Sequence, residues 1–289
     1  MRVGLHALGI GAGADRDVID AVARAADAHG FATLWAGEHV VMVDDGTSTY
    51  PYSDDGKIAV PAAADWLDPM ICLSFAAAAS TNIRIATGVL LLPEHNPLVV
   101  AKQAASLDRL SGGRLTLGVG IGWSKEEFDA LGVPFERRSR RTAEYVDAMR
   151  TVWRDDVASF RGAFVDFDAI RVNPKPVHDR RIPIVLGGNS DAAMRRVVAW
   201  GDGWYGFNLD DVAAVADRVQ LIDGLCREHG RDRSELRLAV AMREPDPADL
   251  PALCDLGVDE YVVVAGPPDD AQKVEGWVAR LAEQWKVER

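Results

Sequence analysis

With 289 residues, 48% of them hydrophobic, the chain is long enough to bury one large core or two smaller ones. Its formal net charge of −12 argues against nucleic acid as a partner, because that affinity comes mostly from neutralised phosphates, and any anionic ligand must meet a local positive site. The cysteines Cys72, Cys226 and Cys254 are odd in number and far apart; they read as small apolar core residues without disulfide or metal spacing, and a reducing cytoplasm is expected.

Residues 2–7 read as a strand that starts almost at Met1, so no signal peptide is expected, and no apolar run reaches the roughly 18 residues of a membrane span. Residues 14–29 read as an amphipathic helix with Val18, Ile19, Val22, Ala25 and Ala26 on one stripe and Gly30 as its stop. A strand over 31–35 leads into Ala36-Gly37-Glu38-His39. Segment 40–66 has no period and carries Tyr50-Pro51-Tyr52 and Asp54-Asp55-Gly56; a loop of that length in a compact domain is a lid or binding loop or else disordered, and its aromatics favour the lid. Asp68-Pro69 and Asn96-Pro97 each pair a capping side chain with a proline whose missing N–H is not needed, and they start helices over 68–80 and 97–110. Between them lies a β-branched strand over 83–92, and Ser111-Gly112-Gly113 ends the second helix. A strand over 114–119 breaks up into Gly118-Val119-Gly120-Ile121-Gly122-Trp123. Helices over 126–131 and 138–153 follow, then a hairpin or extended excursion over 160–172 and the rigid connector Asn173-Pro174-Lys175-Pro176. The remaining segments alternate: strands over 182–186, 203–207, 236–242 and 260–265, helices over 190–200, 210–229, 247–256 and 269–285.

Eight strands, each followed by a helix, predict an α/β fold of the (β/α)8 TIM-barrel type, a single domain over 1–289 with insertions after strands 2 and 4. The insertions are the loop at about 40–66 and the hairpin excursion at about 160–175. The rival, a doubly wound open sheet, needs Gly-x-Gly-x-x-Gly after the first strand, and Gly9-Ile10-Gly11-Ala12-Gly13 has the wrong spacing.

Barrel enzymes place their chemistry at the C-terminal ends of strands. Those ends supply Glu38 and His39; Thr87, Gly88 and Val89; Gly120, Gly122 and Trp123; Gly187, Gly188, Asn189 and Ser190; and Phe207 and Asn208. Gly187-Gly188-Asn189-Ser190 before a helix reads equally as a phosphate cradle or as an ordinary tight turn with a capping serine. Glycines inside adjacent strands suggest either close approach to a flat ligand or barrel curvature. His39 is the histidine at a strand end and a candidate acid/base, whereas His95 sits beside a helix cap and reads as structural. No nucleophile triad, metal cluster or phosphate-binding P-loop is present, which favours a bound cofactor that carries the reaction.

Together these segments resemble the luciferase-like (β/α)8 oxidoreductase family, in particular its group dependent on the deazaflavin coenzyme F420. The matching residues are Leu34-Trp35-Ala36-Gly37-Glu38-His39, Ile85-Ala86-Thr87-Gly88-Val89, His95-Asn96-Pro97 with Ala101-Lys102-Gln103, LDRLSGGR from Leu107, Leu117 to Trp123, Ile182 to Ser190, and Gly201-Asp202-Gly203-Trp204. The resemblance implies a non-prolyl cis peptide at Gly88-Val89 behind the flat ring, a coenzyme phosphate at Gly187 to Ser190, His39 beside the reactive carbon, Trp123 in the pocket wall and loop 40–66 over a small organic substrate. It implies a homodimer; from charge and hydropathy no nucleic-acid or membrane partner is expected. Glu126, with Glu127, lies a turn beyond Trp123 and serves either the coenzyme side chain or the helix start. One departure matters: the family's sugar-phosphate dehydrogenases carry a catalytic glutamate where this chain has Trp123, so their chemistry is not carried over. The expected cofactor is F420, with FMN as the alternative in a two-component monooxygenase using FMNH2 and oxygen; a non-catalytic barrel binding a phosphorylated ligand is the second alternative.

Overall fold

The computed structural model describes residues 1–287. Its strands are β1 (Arg2–Leu8), β2 (Thr33–Ala36), β3 (Arg84–Thr87), β4 (Leu90–Leu91), β5 (Leu115–Gly120), β6 (Ala158–Arg161), β7 (Asp166–Ile170), β8 (Ile184–Gly187), β9 (Gly203–Leu209), β10 (Arg237–Met242) and β11 (Glu260–Val264). The helices are α1 (Arg16–Ala28), α2 (Pro69–Ala79), α3 (Pro97–Ser111), α4 (Lys125–Ala130), α5 (Arg138–Arg154), α6 (Asp191–Trp200), α7 (Val212–His229), α8 (Leu250–Asp255) and α9 (Ala271–Gln284). Hydrogen bonding runs β3-β2-β1-β11-β10-β9-β8-β5, and β3 pairs with β5 to close the ring. Every one of these pairings is parallel. The TIM barrel expected from the alternation of strands and helices is therefore present, with the open sheet excluded by the closing pair.

Local chemistry explains the boundaries. Asn96 Oδ1 accepts from the backbone N–H groups of Leu98 (2.9 Å) and Val99 (3.3 Å) with Pro97 at the first helical position. The same helix ends at Gly112, in the left-handed region at φ 72°. Asp68 caps α2 and Ser190 caps α6 in the same manner. The core has two layers. Leu5, Leu34, Ile85, Leu117, Ile184 and Leu238 face the helices and are fully or almost fully buried, and each such side chain contributes roughly 1.5–3 kcal/mol. Trp35, Ala86, Val185, Tyr205, Ala239, Ala241 and Val262 fill the barrel interior, as the period-2 alternation of strand side chains requires.

Three features depart from or refine the sequence reading. The strand expected over 83–92 is interrupted: the Gly88-Val89 peptide is cis, and β4 resumes beyond it along β5. The excursion over 160–172 is an antiparallel hairpin of β6 and β7, and Glu144 accepts from the backbone N–H groups of Ala163, Phe164 and Val165 at its turn. Cys72 and Cys226 are buried as expected, but Cys254 is exposed, because α8 is one short helix lying at the surface.

Loop 40–66 has no regular structure, yet it is tied down along its length. Thr47 and Ser48 donate to Glu126, the Tyr52 carbonyl accepts from Asn208 Nδ2 (2.6 Å), and Arg243 pairs with Asp54 (2.9 Å). Trp66 Nε1 donates to the Gly37 carbonyl at 3.1 Å, and Trp66 forms a bridge with Ile10. These contacts lay the loop over the C-terminal end of the barrel.

Candidate active site

His39 leaves β2 at that end. Its Nδ1 donates to Glu127 Oε2 at 2.7 Å, and the two side chains are 7% and 1% exposed. Glu127 comes from α4, where Ser124 caps the helix three residues earlier. Its other oxygen accepts from the backbone of Val40 (2.7 Å) and Val41 (3.0 Å), so one carboxylate fixes both the imidazole and the start of the loop. With Nδ1 occupied, Nε2 is the nitrogen of His39 left to exchange a proton. The ring stands edge-on to Trp66 (centroids 4.9 Å apart) and to Trp123 (5.7 Å). Trp123 meets Tyr50, Tyr50 meets Tyr52, and Tyr52 meets Phe207, each within 5.7 Å. The barrel mouth is thus walled by aromatic rings, three of them from loop 40–66.

Several residues expected at the site do work beneath it. Glu38 is buried; its Oε2 accepts from Leu91 N (2.6 Å) and its Oε1 meets His95 Nε2 (3.0 Å), which holds β4 just after the cis peptide. Thr87 is fully buried and donates to the Gly118 carbonyl at 2.7 Å. Gly120 and Gly187 make room for Val89: a Cβ on either would lie 2.7 Å or 3.1 Å from a Val89 methyl. A Cβ on Gly122 would meet Phe128 at 2.5 Å. Glu126 faces the loop, and its hydrogen bonds from Ser48 and Thr47 hold its carboxyl well below the usual carboxylate range. The glycines that suggested a flat ligand are matched first to the bulge at Gly88-Val89.

The turn at Gly187 to Ser190 has the features of an anion cradle. Gly188 has φ 103°, a backbone that only glycine adopts readily. Ser190 Oγ accepts from Ala193 N at 3.2 Å and opens α6, whose positive dipole end faces the mouth side of the barrel. Asn189 donates to the Phe207 carbonyl (2.8 Å), while its Oδ1 is buried without a partner. That acceptor fits the hydroxyl donors of a sugar-alcohol chain, such as flavin and deazaflavin coenzymes carry. Burial lowers the proton affinity of both Arg196 from α6 and Arg138 from α5; the charge of Arg138 adds to the effect on Arg196, and that of Arg141 to the effect on Arg138, and both are half-buried. Neither has a carboxylate partner among the described residues. Arg196 also interacts with Tyr52, whose hydroxyl lies 3.9 Å from where a Gly188 Cβ would be. Against a net charge of −12 this is the local positive site that an anionic ligand needs. A cavity of about 280 Å³ opens beside it, lined in part by Tyr52, Asn189, Asn208 and Arg218.

Sequence reasoning missed Glu127 as the partner of His39. Ser124 and Glu127 have the Ser-x-x-Glu spacing of a capping box, and that local signal masks a contact made across 88 residues. Arg138 and Arg196 were equally hidden among 26 arginines. A groove of about 670 Å³ among Arg150, Asp202 and Arg231 lies at the opposite, N-terminal face, where charges pair internally and barrels do not place their chemistry. Among the described residues no group of His, Cys, Asp or Glu is arranged to hold a metal, and no helix is long and apolar enough to cross a membrane.

Comparison with known proteins gives concordant findings. The profile of the luciferase-like monooxygenase family matches residues 4–243. An uncharacterized protein of Mycobacterium tuberculosis is 34% identical over 264 residues, covering 91% of this chain and 92% of that protein. The FMNH2-dependent dimethylsulfone monooxygenase of Pseudomonas putida is 32% identical over 156 residues, 53% of this chain and 42% of that one. Among solved structures, the coenzyme F420 dependent tetrahydromethanopterin reductase from Methanopyrus kandleri superposes with a TM-score of 0.74 at 16% identity, covering 98% of each chain.

Proposed function

The chain belongs to the luciferase-like monooxygenase family, and from that premise we propose that it is an F420-dependent oxidoreductase moving a hydride between the deazaflavin coenzyme and a small organic molecule. The observation that carries the proposal is the His39–Glu127 pair, 2.7 Å apart, set in an aromatic mouth at the same end of the barrel as the Gly88-Val89 bulge and the cradle at Gly188 to Ser190. When bound, the coenzyme supplies the hydride chemistry. His39 Nε2 gives or takes the accompanying proton, and Glu127 holds the imidazole in the tautomer that permits it. The α6 N-terminus, Arg138 and Arg196 hold the anionic end of the coenzyme. Trp66, Trp123, Tyr50 and Tyr52 exclude water from the reacting centre.

The second reading keeps the site and exchanges the coenzyme for reduced FMN with oxygen; the similarity to the Pseudomonas putida monooxygenase favours it. A third, a phospho-ligand-binding barrel without catalysis, is opposed by the buried pairing of His39. The reading includes a reducing, cytoplasmic setting, supported by three free cysteines. It also includes a homodimer, formed through the outer face of α2 and α3, where Ile71, Phe75 and Val99 are 60%, 51% and 54% exposed.

Thermal stabilisation by F420, FMN and NADPH, each titrated separately, decides among the coenzymes. A ligand at 100 times its dissociation constant adds about 2.7 kcal/mol. F420 is expected to stabilise most; a response to FMN with none to F420 selects the monooxygenase, and no response to any selects the third reading. Gly188→Asp, with a carboxylate at the cradle, is expected to weaken coenzyme binding, and His39→Ala to lower turnover far more than coenzyme affinity; unchanged binding in the first variant removes the cradle from the proposal.

A further inference from the structure

A second histidine reaches the same mouth from below. His6 lies within β1 on the inner face of the barrel and is 9% exposed. Its Nδ1 is 3.0 Å from Tyr205 Oη. Tyr205 is buried, stacked on Trp35 with ring centroids 4.5 Å apart, and burial holds its phenol well above its usual range, so the hydroxyl keeps its proton. That proton needs an acceptor, and His6 Nδ1 is the one within reach among the described residues. The phenol therefore donates, and the imidazole carries its own proton on Nε2. Burial also pushes the imidazole down to about 4, so the ring is neutral at physiological pH.

Nε2 has no partner among the described residues, and it is not one of the sealed polar atoms. The glycines around it leave this edge uncovered. A Cβ on Gly37 would lie 3.5 Å from Nε2 and 3.7 Å from Trp66 Cζ2, and a Cβ on Gly88 would lie 3.2 Å from Cε1. Trp66 therefore has His6 near one side and His39 edge-on at 4.9 Å. Of the carboxylates around the mouth, Glu38 and Glu127 are occupied by internal hydrogen bonds, Glu260 accepts from Trp35 Nε1, and burial keeps Glu94 protonated; the walls are aromatic.

We propose that His6 Nε2–H is a second, neutral hydrogen-bond donor in the floor of the site, and that this site takes an uncharged aryl ketone, or the corresponding alcohol, as its substrate. The proposal rests on the oxidoreductase reading above. The flat ring packs against Trp66 and Trp123 and the carbonyl oxygen accepts from His6. In reduction the carbonyl carbon gains a hydride, and with it two electrons, from the reduced coenzyme, which is oxidised. The C=O π bond opens and the oxygen takes its proton from His39. Alcohol oxidation runs the same steps in reverse. A carboxylate or ammonium substrate would be left in this floor without a counter-charge.

The test measures binding of acetophenone, styrene, benzoate and benzylamine by tryptophan fluorescence and thermal shift, on wild type and on two variants. His6→Phe/Tyr205→Phe removes both polar partners together and leaves neither orphaned. Gly37→Ala covers the Nε2 edge with a methyl group and keeps the proposal testable if the double variant does not fold. Acetophenone is expected to bind wild type, with benzoate and benzylamine at least about tenfold weaker. Both variants are expected to lose about tenfold in acetophenone affinity, the scale of one hydrogen bond, with styrene unchanged because it lacks the oxygen. No acetophenone binding to wild type, equal binding of the charged analogues, or variants that bind acetophenone as wild type does would each overturn the proposal. Failure of the oxidoreductase reading appears separately, as no stabilisation of wild type by F420 or FMN, whereas failure of this proposal leaves that stabilisation intact.

Discussion

Glu94 shows how much a single residue at this site depends on its surroundings. It lies 8% exposed between the histidine-bearing segments, and both carboxyl oxygens are buried without partners. Burial, reinforced by the charges of Glu127 and Glu38, pushes its carboxyl up to about 9. An unfolded glutamate ionises near its ordinary value of about 4.3. Between those limits the folded state holds a proton that the unfolded state has released, so this position costs stability as pH rises from about 4.5 toward 9. Glu94→Gln is neutral in both states. Its melting temperature is expected to match wild type near pH 5 and to exceed it by several degrees near pH 8.5; parallel melting at both pH values would show that Glu94 is ionised in the fold. His39 and Glu127 make the complementary case: their burial is compensated by a 2.7 Å charge-assisted hydrogen bond.

At the scale of elements, loop 40–66 decides what enters the mouth. It supplies Tyr50, Tyr52 and Trp66, and Glu126 on α4 holds its first part through Thr47 and Ser48. Those bonds are local to a surface segment, so losing them frees the loop without reaching the core. Glu126→Ala is expected to speed proteolytic cleavage within 40–66 roughly tenfold while leaving the global melting temperature nearly unchanged; limited proteolysis followed by mass spectrometry reads the site and rate. A large fall in melting temperature would mean that the loop is part of the cooperative core. The helices needed no such tertiary support to be found. Asp68-Pro69, Asn96-Pro97 and Ser190 each mark a helix start within four residues of chain, and the structure places caps at all three.

For the whole molecule, the closed barrel buries its strands on both sides but leaves Ile71 and Phe75 of α2 and Val99 of α3 exposed. Singly exposed apolar residues are ordinary, whereas Ile71 and Phe75 stand one turn apart on α2, which packs against the α3 that bears Val99, and we propose this face as the seat of a second copy. Wild type is expected to sediment as a dimer and the double variant Ile71→Glu/Phe75→Glu as a monomer. A monomeric wild type, or a variant that remains dimeric, would reject this face as the interface.

The sequence by itself determined the class of fold, its eight βα units, the strand ends that bear His39 and Gly188, and the two excursions. These follow from hydrophobic period, caps and turn residues, all of which act over a few residues of chain. Only the tertiary structure decided which side chains meet: His39 with Glu127 across 88 residues, His6 with Tyr205 across 199, and Val89 against the glycines of two neighbouring strands. It also reassigned Glu38 and Thr87 from the ligand face to the scaffold beneath it. The reason is physical. Barrel closure brings strand ends from the whole chain into one mouth, and the hydrogen-bond partner of a buried polar group there is set by that closure, not by its neighbours in sequence.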